Sequence, residues 1–207
     1  MSSERSKSGC GSKLVMTVGI GFAVMCVLVC AGGYFMWQKM KDAITTDPVK
    51  IQKISESVVD LDVPAGLEPK FGMDFKVAGQ GMSMAIYGDE KATGSMFVMS
   101  VSAPYDPEKA SVDDVKQNME NQRQQQQGQG EKQKVIELEE REEIEKDVNG
   151  RVGKFLVGKG KDEAGVEHIQ VMGVFESKSK EMGMFDLVIP ADQMDMEAGR
   201  KLIESVK

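Results

Sequence analysis

Leu14–Trp37, read as LVMTVGIGFAVMCVLVCAGGYFMW, runs for 24 residues without a charge in a chain that is 29% charged. At a rise of about 1.5 Å per residue, a helix of that length reaches about 36 Å, enough for a hydrocarbon core of about 30 Å with some tilt. A helix packed on a soluble domain of this size keeps a polar stripe towards water, and this stretch has none. It predicts one transmembrane helix tethering everything that follows. The chain then divides into a tail at 1–13, the span at 14–37, a juxtamembrane linker at 38–47 and a folded domain at 48–207.

Arg5, Lys7 and Lys13 precede the span with only Glu4 opposing them, while Lys39 and Lys41 follow it with Asp42 close behind. The excess of Lys and Arg on the N-terminal side predicts a cytoplasmic N-terminus and a C-terminal domain outside the cytoplasm, as in a bacterial inner membrane. Tyr34 and Trp37 fall where amphipathic rings settle at the outer interface. A cleaved signal would show a shorter apolar region and a small-residue cleavage site, and a lipoprotein signal would place its cysteine after a small residue. Cys26 follows Met25 and Cys30 follows Val29, so an uncleaved anchor is the better reading. Beyond Cys30 there is no thiol, so the outer domain has neither a disulfide nor a reactive cysteine. Gly19 and Ala23 form one small-xxx-small pair, a weak dimerisation signal that leaves the oligomeric state open. The net charge of −7 argues against nucleic acid or anionic headgroups as ligands.

Within the outer domain, Asp47-Pro48 is helix-start chemistry, and Ile51, Ile54 and Val58 follow as one apolar stripe. Met82, Met84 and Ile86 alternate with polar neighbours, as do Phe97, Met99 and Val101 beyond the GDEKATG turn. The pattern predicts a hairpin with these side chains on its buried face. Ser111 and Asp114 cap a second helix carrying Val112, Val115 and Met119, which runs into a Gln-rich mobile loop at 121–133. In Val135–Val148 the apolar residues Ile136, Leu138, Ile144 and Val148 share parity, which favours a strand with one partly buried face over a solvated helix.

Asn149-Gly150 is the strongest short hairpin signal, since both turn residues need positive φ. A two-residue turn there sets Ile144 opposite Phe155 and Glu142 opposite Val157. A further turn through Glu176–Glu181 pairs Phe175 with Phe185 and Val171 with Ile189. Phe155, Val157, Ile169, Val171, Phe175, Phe185, Leu187 and Ile189 then share one face, and a slip of one residue would expose them all. Asp192–Val206 reads as a closing helix that offers Leu202, Ile203 and Val206 to that face.

The expected order is helix, hairpin, helix, four antiparallel strands and a closing helix: an α+β fold, an antiparallel sheet packed with helices behind one transmembrane helix. With FLVGKG, HIQVMGVF and MFDLVIP in its late strands, this order resembles the PsbP-like α/β/α sandwich domains across most of residues 60–207. The resemblance implies an accessory or binding role and brings no shared catalytic residues.

The residues themselves offer little chemistry. His168 is the sole histidine, which removes His-based triads and multi-histidine metal sites, and its strand parity places it on the solvent side. Glu137–Glu145 reads as a solvated surface, and GRVGK lacks the P-loop spacing. The 16 methionines are the compositional excess. Met82/Met84, Met182/Met184 and Met194/Met196 each repeat at a spacing of two, which suits adaptable core packing better than Cu(I) ligation. No catalytic, cofactor-binding or metal-binding residue is assigned. The expectation is a single-pass membrane protein, not an enzyme, whose outer domain contacts a protein partner. The alternative is a ligand-binding domain for Cu(I), through methionines, or for a small apolar molecule.

Overall fold

The computed structural model describes residues 43–77, 80–91, 93–117 and 136–207. The chain divides at Asp42/Ala43, and the description concerns the second unit, Ala43–Lys207. Leu14–Trp37 and the Gln-rich stretch at 121–133 lie outside the described residues. Among the described residues no helix is long and apolar enough to cross a membrane.

Eight described strands form one antiparallel sheet: β1 (Ile44–Thr45), β2 (Glu68–Val77), β3 (Gln80–Gly88), β4 (Ser95–Pro104), β5 (Glu137–Val148), β6 (Arg151–Lys161), β7 (Glu167–Glu176) and β8 (Glu181–Pro190). Their spatial order is β1-β2-β3-β4-β8-β7-β6-β5. Two strands were not resolved by the sequence pattern. β2 carries Phe71, Met73 and Phe75 at alternate positions, and β1 pairs with it for only two residues. The sheet is thus larger than the six strands expected.

One face, called here the helix face, is covered by α1 (Pro48–Val58) and α2 (Met196–Ser205). Asp47 caps α1 as expected, its Oδ1 accepting from the Val49 N–H at 3.0 Å, with Pro48 in the first turn. α2 starts at Met196, not Asp192, because the Asp195 carboxylate accepts from the Ala198 N–H at 2.7 Å and sets the cap there. At the other end of α2, Lys146 Nζ donates to the carbonyls of Ile203 at 3.1 Å and Val206 at 2.7 Å, neutralising the negative end of the helix dipole. Close approach has a compositional cause. A Cβ on Gly72 would lie 3.0 Å from Ile51 Cγ1 of α1, and one on Gly199 would lie 2.7 Å from Val157 Cγ2 of β6.

β5 is a strand, and the Asn149-Gly150 turn is real, with φ of 54° and 84°. Ile144 pairs with Phe155 and Glu142 with Val157, in the expected register. One irregularity between Leu138 and Glu140 breaks the shared parity of that strand. A single extra residue turns Leu138 to the second face, where it packs with Leu156 and Met172, while Ile144 and Val148 stay with the helix face.

The β7–β8 register differs from expectation by two residues: Phe175 pairs with Gly183 and Val171 with Leu187. The turn is tighter than supposed. The Ser177 N–H donates to Glu181 O at 2.9 Å, and Lys180 takes φ of 62°, the left-handed residue of a three-residue hairpin loop. Because the shift is even, the expected apolar face survives intact. The β3–β4 hairpin is reversed. Ala85, Tyr87, Met96 and Val98 are buried under α1, and Met82, Met84, Ile86, Phe97, Met99 and Val101 lie half-buried on the second face. Small residues at Ser83, Ala85 and Ser100 suit the face that a helix must approach.

Gly150→Val isolates the turn's backbone requirement, because a Cβ at Gly150 meets nothing within 4 Å. A β-branched residue held at positive φ is expected to cost about 1–3 kcal/mol. Thermal melting of the variant should show a lowered Tm. An unchanged Tm would mean that the turn is not held at these dihedrals.

Candidate functional site

Two-sided burial decides where polar side chains end up. The second face of β5–β7 is covered by Tyr105 and the helical segment at 112–117, which pack Val112 and Val115 near Leu156, Met172 and Val174. The segment is capped as expected, Ser111 Oγ accepting from the Asp114 N–H at 3.3 Å. Tyr105 Oη donates to Val152 O at 2.7 Å, and Lys154 Nζ donates to Ala110 O at 2.9 Å.

His168, at the start of β7, is fully buried, not solvent-facing. The β6–β7 turn folds Asp162 onto it, with 3.1 Å between His168 Nε2 and Asp162 Oδ2. Asp162 Oδ1 also accepts from the N–H groups of Ala164 and Val166, at 3.0 and 2.9 Å. The Val166 bond leads the effects that hold its carboxyl below the usual range, against the upward pull of burial and with further help from His168. The pair resembles an acid–base dyad, but the ring has no opening to solvent. We read it as the polar latch of the turn. Two residues along β7, Gln170 Nε2 donates to Asp186 Oδ1 of β8 at 2.8 Å, both side chains buried. No sequence motif marks Gln170 or Asp186. The signal was the unbroken apolar run around them, which belongs to a strand covered on both sides.

At the start of β8, Glu181 gathers hydroxyls. Ser102 Oγ donates to its Oε1 and Ser179 Oγ to its Oε2, each at 2.8 Å. Burial alone would raise the Glu181 pKa, but these hydroxyls, the Lys76 charge and Ser100 together hold it below the usual glutamate value. A groove of about 560 Å³ lies between α1, residues 59–67 and Tyr87, with Glu56, Asp60 and Asp62 among its lining residues. Asp60 is already paired with Lys178, Oδ1 to Nζ at 2.5 Å. Tyr87 Oη is enclosed, with Ser55 beside it. Burial raises its pKa above the ordinary phenol value, Ser55 offsets part of this, and Glu56 adds to it. Among the described residues, no three His, Cys, Asp or Glu side chains come together to hold a metal ion.

The unusual surface is the second face of β2, β3, β4 and β8. Register aligns its side chains in cross-strand rows: Phe75, Met82, Val101 and Met182; then Met73, Met84, Met99 and Met184; then Phe71, Ile86 and Phe97. All are half-buried except Met184, which is buried. Of these only Met182 joins either packed cluster of the described residues. The structure thus brings together two of the methionine pairs, Met82/Met84 and Met182/Met184, and adds Met73 and Met99, which belong to none of the pairs at a spacing of two. Met194 and Met196 instead pack at the margin of the helix-face core.

No family model and no curated protein matches the chain. Among solved structures, the chain is similar to the solution structure of cyanobacterial PsbP (CyanoP) from Synechocystis sp. PCC 6803. The identity is 18% and the TM-score 0.48, over 80% of this chain and 92% of that one. The likeness is one of fold.

The Glu181 cluster has a pH signature. A carboxylate with a depressed folded pKa contributes stability above its unfolded pKa of about 4.3, and that stability is lost as pH falls through the folded value. Glu181→Gln removes the titration. Between about pH 6 and about pH 3, its Tm should fall less steeply than that of the wild type. Parallel acid limbs would show that the serine cage does not favour the ionised form.

Proposed function

We propose that the protein is a single-pass membrane protein, its N-terminus cytoplasmic, whose outer α+β domain is a non-catalytic interaction module. The half-buried methionine and phenylalanine face of β2–β3–β4–β8, on which no described helix lies, carries the reading. A sheet face of that kind, lying beside helix-covered quadrants, is where a protein partner gains most from excluding water. Methionine suits such a surface because its three torsions and polarizable sulfur adapt to the partner's shape. The anchor and orientation rest on the uncharged Leu14–Trp37 segment and the basic residues before it.

Two measurements test this. In a background with Cys10, Cys26 and Cys30 replaced by Ser, Val166→Cys offers a thiol at an exposed site. An impermeant maleimide should label it on intact cells or spheroplasts, and labelling only after lysis would reverse the orientation. Separately, a photo-crosslinking amino acid at Ile86 or Phe97 of the full chain in native membranes should give defined protein adducts. The same probe at exposed Val152 should not. Adducts that do not depend on position would remove the face as the contact surface.

A further inference from the structure

The methionines of the open face are placed for more than contact. Met73 of β2 lies directly opposite Met84 of β3, Met84 opposite Met99 of β4, and Met99 opposite Met184 of β8. Four thioethers therefore stand in one unbroken cross-strand row, with Met82 and Met182 in the next row. Directly opposed residues have Cβ atoms about 4.5–5.5 Å apart. Three rotatable bonds per side chain let two directly opposed sulfurs, Met84 and Met99, converge on one point with that of Met82, two residues along β3 on the same face, whereas the ends of the row, three strand spacings of about 4.8 Å apart, are beyond the reach of one ion. Met82, Met84 and Met99 are each half-buried, so none is sealed from solvent.

We propose that Met82, Met84 and Met99 of this face bind Cu(I) through their three thioether sulfurs. Thioethers are soft, neutral donors, and soft donors select Cu(I) over Mg(II) and Ca(II), which take oxygen ligands. The usual competitors are missing from this part of the chain. No cysteine follows Cys30, and the single histidine, His168, is buried against Asp162. A net charge of −7 favours approach of a cation over an anion. The phenylalanines and Ile86 beside the row would shield the metal from water, as the apolar shell of a metal site does. The site shares its face with the interaction reading, and leucine separates the two. Replacing methionine by leucine keeps volume and apolar surface while removing the lone pairs.

The full chain in detergent, with Cys10, Cys26 and Cys30 replaced by Ser, is titrated anaerobically with Cu(I) against a colorimetric Cu(I) chelator. One equivalent should leave the chelator, and X-ray absorption should show a first shell of sulfur alone. In Met84→Leu/Met99→Leu, which removes two of the three donors, the affinity should drop by more than the roughly 10–100-fold that loss of an outer-shell partner alone costs, with the Tm of the copper-free protein unchanged. With methyl-labelled methionine, the redox-silent probe Ag(I) should shift the Met82, Met84 and Met99 methyls most and leave Met194 and Met196 in place. Failure of the wild type to withdraw Cu(I), or equal binding by the double leucine variant, overturns the site. Crosslinks from Ile86 that persist in the leucine variant keep the interaction reading whether or not copper binds. Their absence with copper binding intact removes that reading alone.

Discussion

Three phenylalanines fix the register on which the rest of the domain depends. The rings of Phe155, Phe175 and Phe185 lie 6.1–6.3 Å apart on the helix face, within the range of favourable ring pairing. Each occupies space that a neighbouring strand leaves free. A Cβ on Gly173 would lie 2.5 Å from Phe155 Cδ1, and one on Gly183 would lie 2.6 Å from Phe175 Cε2. The glycines are the complement of the rings. This explains the two-residue offset of β7 against β8. Setting Phe175 opposite Phe185 would stack two large side chains on one spot of the sheet and leave Gly183 beneath nothing. Setting Phe175 over Gly183 and Phe185 beside Gly173 lets all three rings pack at one level. Of the two even-numbered registers, both of which hide the apolar face, close packing selects one.

With the register fixed, the sheet offers four quadrants, and side-chain size sorts them. Helices approach where residues are small: α1 over Gly72 and Ala85, α2 with its own Gly199 against β6. The segment around Tyr105 and Val112 takes the third quadrant, tied down by Arg141–Asp113 and Lys154–Ala110. The fourth quadrant carries methionine and phenylalanine, and no described helix lies on it. Its side chains project far from the sheet, which leaves adaptable rather than tightly matched surface. That difference supports the assignment of function to this quadrant instead of the groove beside α1, whose acidic Asp60 is already neutralised by Lys178.

What could be read from the sequence follows from how one-sided each signal was. Asn149-Gly150 and the caps Asp47 and Ser111 are local chemistry, so they came through unaltered. The late strands kept their parity because Phe155 to Ile189 hold a consistent large-residue face. β3 and β4 were misassigned because both of their faces are apolar, and the larger residues, Met82, Met84, Phe97 and Met99, sit on the more open one. β2 was missed because Gly72, Asp74 and Lys76 interrupt its apolar positions, and Asp74 only makes sense once Ser83 donates to it at 2.8 Å across the strand pair. His168 looked solvent-facing because parity reports which face a residue is on, not whether something covers that face. The methionine row was invisible for a related reason. It is assembled from four strands spread over more than a hundred residues, and only long-range register brings them into line.

The two halves of the second face are separated by chemistry as well as by cover. Asp186 lies between Phe97 on the open side and Met172 on the covered side, hydrogen-bonded to Gln170 of the neighbouring strand. A continuous apolar face at that place would let the segment over β5–β7 slide towards β4 with little loss, since every position along it would bury similar area. Asp186 and Gln170 are themselves buried, so what the seam fixes is the partner: a buried carboxylate and amide must stay hydrogen-bonded, and an apolar side chain sliding over them offers no such bond. The polar seam thereby confines Val112 and Val115 to Leu156, Met172 and Val174.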